Sequence, residues 1–134
     1  MITAYPLTTV VVVLSLFVYI WVMMKVGAAR AKYNVPVPSV SGPDDFLRVF
    51  RVHMNTLEQA VLFLPALALF AAAWGDLPAA IVGVFWPVGR VVYALRYYKA
   101  AEKRGLGFGI SFLSSVLLLL GGLAGAVVAL TQKF

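Results

Sequence analysis

Four long apolar stretches constrain this chain more than any other feature. They run from about Tyr5 to Met24, Phe46 to Ala73, Leu77 to Ala101 and Leu106 to Leu130. Each approaches or exceeds the roughly 20 residues that a helix needs to cross a bilayer. Charged residues make up only 12% of the chain, too few to cover the surface of a soluble globule. The sequence therefore predicts an integral membrane protein with one domain, residues 1–134.

The connections between these stretches predict their arrangement. Pro, Gly, Ser and Asp residues in RAKYNVPVPSVSGPDD mark a loop between the first and second stretches. Short connections follow, WGDLP between the second and third stretches and EKRGLG between the third and fourth. The first stretch has neither a basic leader nor a small-residue cleavage site, so we expect a retained helix. Pro65 and Pro87 are expected to kink the second and third helices. The predicted fold is all-α, an up-down-up-down four-helix bundle.

Basic residues predict how the bundle is oriented. They gather around the first and third connections, as Lys25, Arg30, Lys32, Arg48, Lys99, Lys103 and Arg104. The second connection has only Asp76. The positive-inside rule places connections one and three in the cytoplasm and both termini on the opposite side. Because membrane topology explains the net charge of +6, we do not expect a nucleic-acid partner.

A polar line interrupts the second apolar stretch. At about 100° per residue, Arg51, Asn55 and Glu58 share one helical face. Charges within a membrane cost free energy unless they pair or face a watery cavity. A cation, an amide and a carboxylate together suit a zwitterionic ligand. His53, the only histidine, lies about 200° from Arg51, and both a general base and a hydrogen-bonded helix-end residue remain open.

A second polar line follows the third stretch. Arg90, Tyr93, Tyr97 and Arg104 are separated by offsets that keep them near one helical face. Arg90 lies deep in the stretch and needs a partner, and Glu58 is the only carboxylate well inside the spans. The sequence leaves open a structural Glu58–Arg90 pair or a ligand site that uses both. The two tyrosines are either membrane-interface aromatics or ligand contacts.

Two pairs of small residues in the fourth stretch have four-residue spacing, Ser111 with Ser115 and Gly121 with Gly125. Such spacing lets helices approach closely, either within one chain or between subunits. The chain contains no cysteine, so any sulfur chemistry must be brought by a ligand. No spacing of side chains suggests a metal site.

Three motifs resemble the MAPEG family, the membrane-associated proteins in eicosanoid and glutathione metabolism. FRVHMNTLEQ resembles its signature through Arg51-x-x-x-Asn55-x-x-Glu58. The pattern of Arg90, Tyr93, Tyr97 and Arg104 is similar to the third helix of the glutathione-using members. Arg30 in GAARAKY resembles the arginine that ends the first helix there.

The resemblance implies a homotrimer that binds glutathione between adjacent subunits. The implied glutathione-binding residues are Arg30, Arg51, His53, Asn55, Glu58, Arg90, Tyr93 and Tyr97. Arg104 would lie beside the sulfur as the catalytic residue. Side-chain chemistry agrees, because arginine suits carboxylates, a carboxylate suits the ammonium group, and a guanidinium favours the thiolate.

The predicted function is a bacterial inner-membrane glutathione transferase or glutathione-dependent peroxidase that detoxifies lipophilic electrophiles. Glutathione is the expected co-substrate, without a metal, and the expected partners are other copies of the chain, membrane lipid and a hydrophobic substrate. One alternative is a non-catalytic MAPEG protein that binds lipid or glutathione. Another is a small four-helix multidrug exporter, but such exporters carry a carboxylate in the first span, and this chain has none there.

Overall fold

A computed structural model of the protein describes residues 2–134, which form a bundle of helices. The elements in chain order are α1 (Pro6–Tyr33), α2 (Asp44–Trp74), α3 (Asp76–Gly83), α4 (Phe85–Lys99), a 3₁₀ turn (Ala101–Arg104) and α5 (Gly105–Lys133). Four segments are long and apolar enough to cross a membrane: Pro6–Tyr33, Asp44–Trp74, Asp76–Lys99 and Ala101–Lys133. The predicted all-helical architecture with four spans is therefore confirmed.

The third span differs from the single helix predicted over 77–101. It consists of α3 and α4, which are separated at Val84, and it ends at Lys99. Pro87 has no N–H to donate to the carbonyl of Gly83, which explains an interruption at this point. The interruption is local, because Val84 keeps helical dihedral angles and Val88 N–H donates to the Val84 carbonyl at 3.4 Å, whereas α2 continues as one helix through Pro65.

The first connection is shorter than predicted because α1 continues past Met24 to Tyr33. Asn34 ends the helix in the left-handed conformation, with φ of 54°, and its N–H donates to the carbonyl of Arg30. Asparagine tolerates this conformation better than most residues, and such a cap satisfies a terminal carbonyl. Arg30 therefore lies in the last turn of a helix rather than in the loop.

The two ends of the bundle are each tied by a long-range contact. At one end the carboxylate of Asp76 accepts the N–H groups of Leu7, at 2.9 Å, and Thr8, at 2.7 Å. These are unpaired donors at the positive N-terminus of α1, which a carboxylate stabilises. At the other end Arg48 Nε donates to the carbonyl of Tyr98 at 3.3 Å. Connections one and three therefore lie at the same end.

Small residues allow α4 and α5 to pack closely. A Cβ atom added to Gly107 would overlap the backbone of Tyr93, and one added to Gly89 would lie 2.7 Å from the backbone nitrogen of Ser111. Farther along α5, Gly121 and Gly125 contact α2. The small-residue pattern therefore serves packing within the chain.

We expect Gly107→Ala to destabilise the protein by about 1–3 kcal/mol, the usual cost of overpacking. The added methyl group meets backbone atoms of Tyr93, which cannot rotate aside as a side chain can. Gly109→Ala is the matched control, because nothing lies within 4 Å of its added Cβ. Thermal unfolding in detergent checks the prediction, and equal melting temperatures for the two variants would contradict it.

Candidate functional site

Arg90 lies at the centre of a polar cluster inside the bundle and is 0% exposed. Its Nη2 donates to Asn55 Oδ1 at 2.8 Å and to Thr56 Oγ1 at 3.0 Å, both on α2. Its Nη1 donates to Ser111 Oγ on α5 at 3.3 Å. The guanidinium carbon is 4.0 Å from the centre of the Tyr93 ring, a cation–π arrangement. Arg90 thus connects α4 to both neighbouring helices.

The Glu58–Arg90 pair considered from the sequence is not formed. The hydrogen-bond acceptors of Arg90 are neutral, and the ion pair found within residues 2–134 joins Arg48 to Asp45. Glu58 is exposed. Around α2 it stands about 60° from Asn55 but about 200° from Thr56, so it lies on the outer side of Asn55 rather than between the two α2 residues that contact Arg90.

Two tyrosines extend the cluster along α4 towards the end that carries connections one and three. Their ring centres, in Tyr93 and Tyr97, are 5.4 Å apart. Tyr97 then lines a polar cavity of about 280 Å³ together with Arg51, Asp44, Leu47, Arg48 and Ala101. The structure therefore brings together five of the predicted site residues, namely Arg51, Asn55, Arg90, Tyr93 and Tyr97.

Arg104 is placed differently from the sequence prediction. Because α4 ends at Lys99, the helical face of Tyr93 does not continue to Arg104, which lies in the 3₁₀ turn. Its Nη1 donates to the carbonyl of Ala101 at 3.0 Å, and its side chain is exposed.

Arg30 and His53 lie apart from the cluster. Arg30 Nη1 donates to the carbonyl of Ser39 at 2.6 Å, and its guanidinium lies over the ring of Phe46. His53 Nε2 is 3.2 Å from the hydroxyl of Tyr19 on α1, and the two rings stack. As helical periodicity predicts, His53 and Arg51 lie on different sides of α2. One copy of the chain therefore does not assemble all the predicted residues.

Sequence reasoning missed two residues that hold Arg90. Thr56 and Ser111 are both 0% exposed, and their hydroxyl groups accept hydrogen bonds from the guanidinium. The four-residue spacing identifies Ser111 only as a small packing residue, and no such spacing points to Thr56. The sequence feature that indicates Thr56 is its position, because it places a hydroxyl group next to Asn55 on the buried side of α2.

Apolar grooves follow the outer faces of the bundle. One, of about 470 Å³, lies between α1 and the third span and is lined by Leu14, Phe17, Val18, Trp21, Val84, Pro87, Val88 and Val91. Another, of about 410 Å³, lies between α1 and α2 and includes Tyr19, the partner of His53. Such grooves suit acyl chains or other lipophilic molecules.

The fold and the cluster define a class of membrane protein, a four-span helical bundle with an arginine–amide–tyrosine network opening towards one membrane surface. The MAPEG family model matches residues 8–124, and the chain belongs to that family.

The chain is also similar to individual proteins of several organisms. It is 47% identical over 119 residues to an uncharacterized protein of Synechocystis, covering 89% of this chain and 87% of the relative. It is 35% identical to microsomal glutathione S-transferase 2 of Bos taurus, covering 83% and 76%. It is 32% identical to leukotriene C4 synthase of Rattus norvegicus, covering 73% and 65%.

Proposed function

We propose that this protein is a membrane-embedded glutathione transferase acting on lipophilic electrophiles. The observation that carries the proposal is the cluster from Asn55 through Arg90, Tyr93 and Tyr97 to the Arg51 cavity. The names of two relatives, a microsomal glutathione S-transferase and a leukotriene synthase, support the same chemistry.

One carboxylate, the ammonium group and the thiolate of glutathione each have a suitable partner in this proposal. The guanidinium of Arg51 binds a carboxylate through its planar fork. Glu58 binds the ammonium group, and Arg104 stabilises the thiolate, which is the nucleophile. The thiolate sulfur forms a bond to carbon of the electrophile, whose leaving group departs with the bonding electrons. The same thiolate would also attack the terminal oxygen of a lipid hydroperoxide, which breaks the O–O bond, releases the lipid alcohol and leaves a glutathione sulfenic acid. A second glutathione would convert this sulfenic acid to glutathione disulfide and water, so product analysis separates the two reactions.

The binding site is proposed to be completed by a neighbouring copy in a homotrimer. The polar cavity of about 280 Å³ falls just below the range of about 300–1,000 Å³ that is usual for ligand pockets. Arg30 and His53 lie outside the cluster, and Glu58 is exposed without an ion-pair partner within residues 2–134. Native mass spectrometry from mild detergent should give three copies, and a monomer alone would contradict this assembly.

The polar cavity is proposed to open to the cytoplasm of a bacterial cell, with the protein in the inner membrane. It lies at the end that carries the basic connections one and three, which the positive-inside rule assigns to the cytoplasm. A C-terminal reporter that is active only in the cytoplasm should stay silent, whereas a strong signal would reverse the orientation.

Purified protein in detergent is expected to conjugate glutathione to a generic aryl halide faster than the uncatalysed reaction. Gly109→Ala, which adds a methyl group in open space, should retain this activity. Glutathione binding without product would instead identify a non-catalytic binding protein. No binding of glutathione at all would contradict the proposed function.

A further inference from the structure

We propose that Arg90 is a positioning residue that orients the amide of Asn55 and does not itself bind glutathione. The inference rests on the proposed function, since it assigns roles within the same site. It also changes the role that family resemblance implied for Arg90.

Burial separates Arg90 from a ligand. The side chain is 0% exposed, and its nitrogens donate to Asn55, Thr56 and Ser111. The Tyr93 ring covers the guanidinium at 4.0 Å. A ligand would have to displace one of these groups in order to reach a guanidinium N–H.

Donor and acceptor chemistry fixes the orientation of the Asn55 amide. A guanidinium has only donors, so the group that faces it at 2.8 Å must be the carbonyl oxygen of Asn55. The amide nitrogen then lies on the other side of the planar group, and it has no hydrogen bond within residues 2–134. Asn55 is only partly buried. It therefore offers a ligand two N–H donors, which match a carboxylate or a peptide carbonyl of glutathione.

The positive charge of Arg90 also strengthens the Asn55 amide as a hydrogen-bond donor. Its hydrogen-bond acceptors are neutral, so no carboxylate cancels its field locally. Hydrogen bonds in a chain polarise one another in a low-dielectric interior. A cation on the oxygen of the Asn55 amide makes the nitrogen a stronger donor to an anionic ligand.

A double-mutant cycle tests whether Arg90 acts on glutathione through the Asn55 amide. The measured quantity is glutathione affinity, obtained by titration calorimetry on protein in detergent. The variants are Asn55→Ala, Arg90→Met and the two combined. Each single change should weaken binding about tenfold. The double variant should also be about tenfold weaker, because Arg90 acts through the amide that Asn55→Ala removes. Additive losses, to about a hundredfold, would overturn the proposal.

Asn55→Asp keeps the proposal testable if Arg90→Met fails to fold. The aspartate would still accept from Arg90, and the melting temperature should equal or exceed that of the wild type. Its second oxygen would replace the N–H donors, so glutathione binding should fall at least tenfold. Binding at the wild-type level would overturn the proposal.

The proposed function and the role of Arg90 are contradicted by different results of this experiment. A wild-type protein that does not bind glutathione contradicts the proposed function and, with it, the role of Arg90. A wild type that binds, combined with an additive cycle or an Asn55→Asp variant that binds glutathione at the wild-type level, contradicts the role of Arg90 alone.

Discussion

Glu58→Gln is expected to weaken glutathione binding roughly 100-fold or more while leaving the melting temperature nearly unchanged. Glu58 is exposed, and no ion pair holds it within residues 2–134, so the fold does not depend on its charge. In the assembled site it would face the ligand's ammonium group. Removing one partner of a buried ion pair costs about 3–5 kcal/mol, and each 1.4 kcal/mol is tenfold in affinity.

Calorimetry and thermal unfolding on the same preparations separate these two effects. Glu58→Asp is the matched control, because it keeps the charge but shortens the side chain, and it should give an intermediate affinity. A Glu58→Gln variant that binds glutathione normally but melts earlier would show that Glu58 has a structural role.

Arg104→Ala is expected to lower conjugation at neutral pH up to about 100-fold, with only a modest change in glutathione affinity. If the guanidinium lowers the pKa of the bound thiol by two units, its stabilisation of the thiolate is worth about 2.7 kcal/mol. Without it the thiol pKa rises and less thiolate exists at neutral pH. The lost rate should therefore return as the pH is increased.

The pH profile of aryl halide conjugation distinguishes this catalytic role from membrane anchoring. Lys103→Ala removes a basic residue from the same exposed turn and provides the control. An anchor role predicts similar losses of expression for both variants and unchanged pH profiles. Unchanged turnover and an unchanged profile for Arg104→Ala would remove it from catalysis.

Local sequence patterns were sufficient to predict the features of the structure that depend on a single helix. Hydropathy located the four spans, and helical periodicity separated His53 from the Arg51 side of α2. Both properties can be read within a single helix and need no knowledge of neighbouring helices. The same periodicity failed at Arg104, because the end of α4 at Lys99 interrupts the helix.

The hydrogen-bond partners of Arg90 could not be predicted from hydropathy or helical periodicity. They depend on how α2, α4 and α5 cross, and the α4–α5 contact is set by Gly107 against Tyr93. Charge alone suggested Glu58, the available carboxylate. The bundle instead satisfies the guanidinium with neutral oxygen atoms, because the α4-facing side of α2 carries Asn55 and Thr56.

Thiolate formation in the bound state tests the central claim most directly. We expect an ultraviolet difference spectrum to show thiolate absorbance when glutathione is added to the purified wild-type protein, at a pH where free glutathione remains a thiol. S-methyl glutathione, which cannot ionise at sulfur, should give no such signal, and Arg104→Ala should shift it to higher pH. Glutathione that binds without any thiolate absorbance would contradict a transferase that activates the thiol.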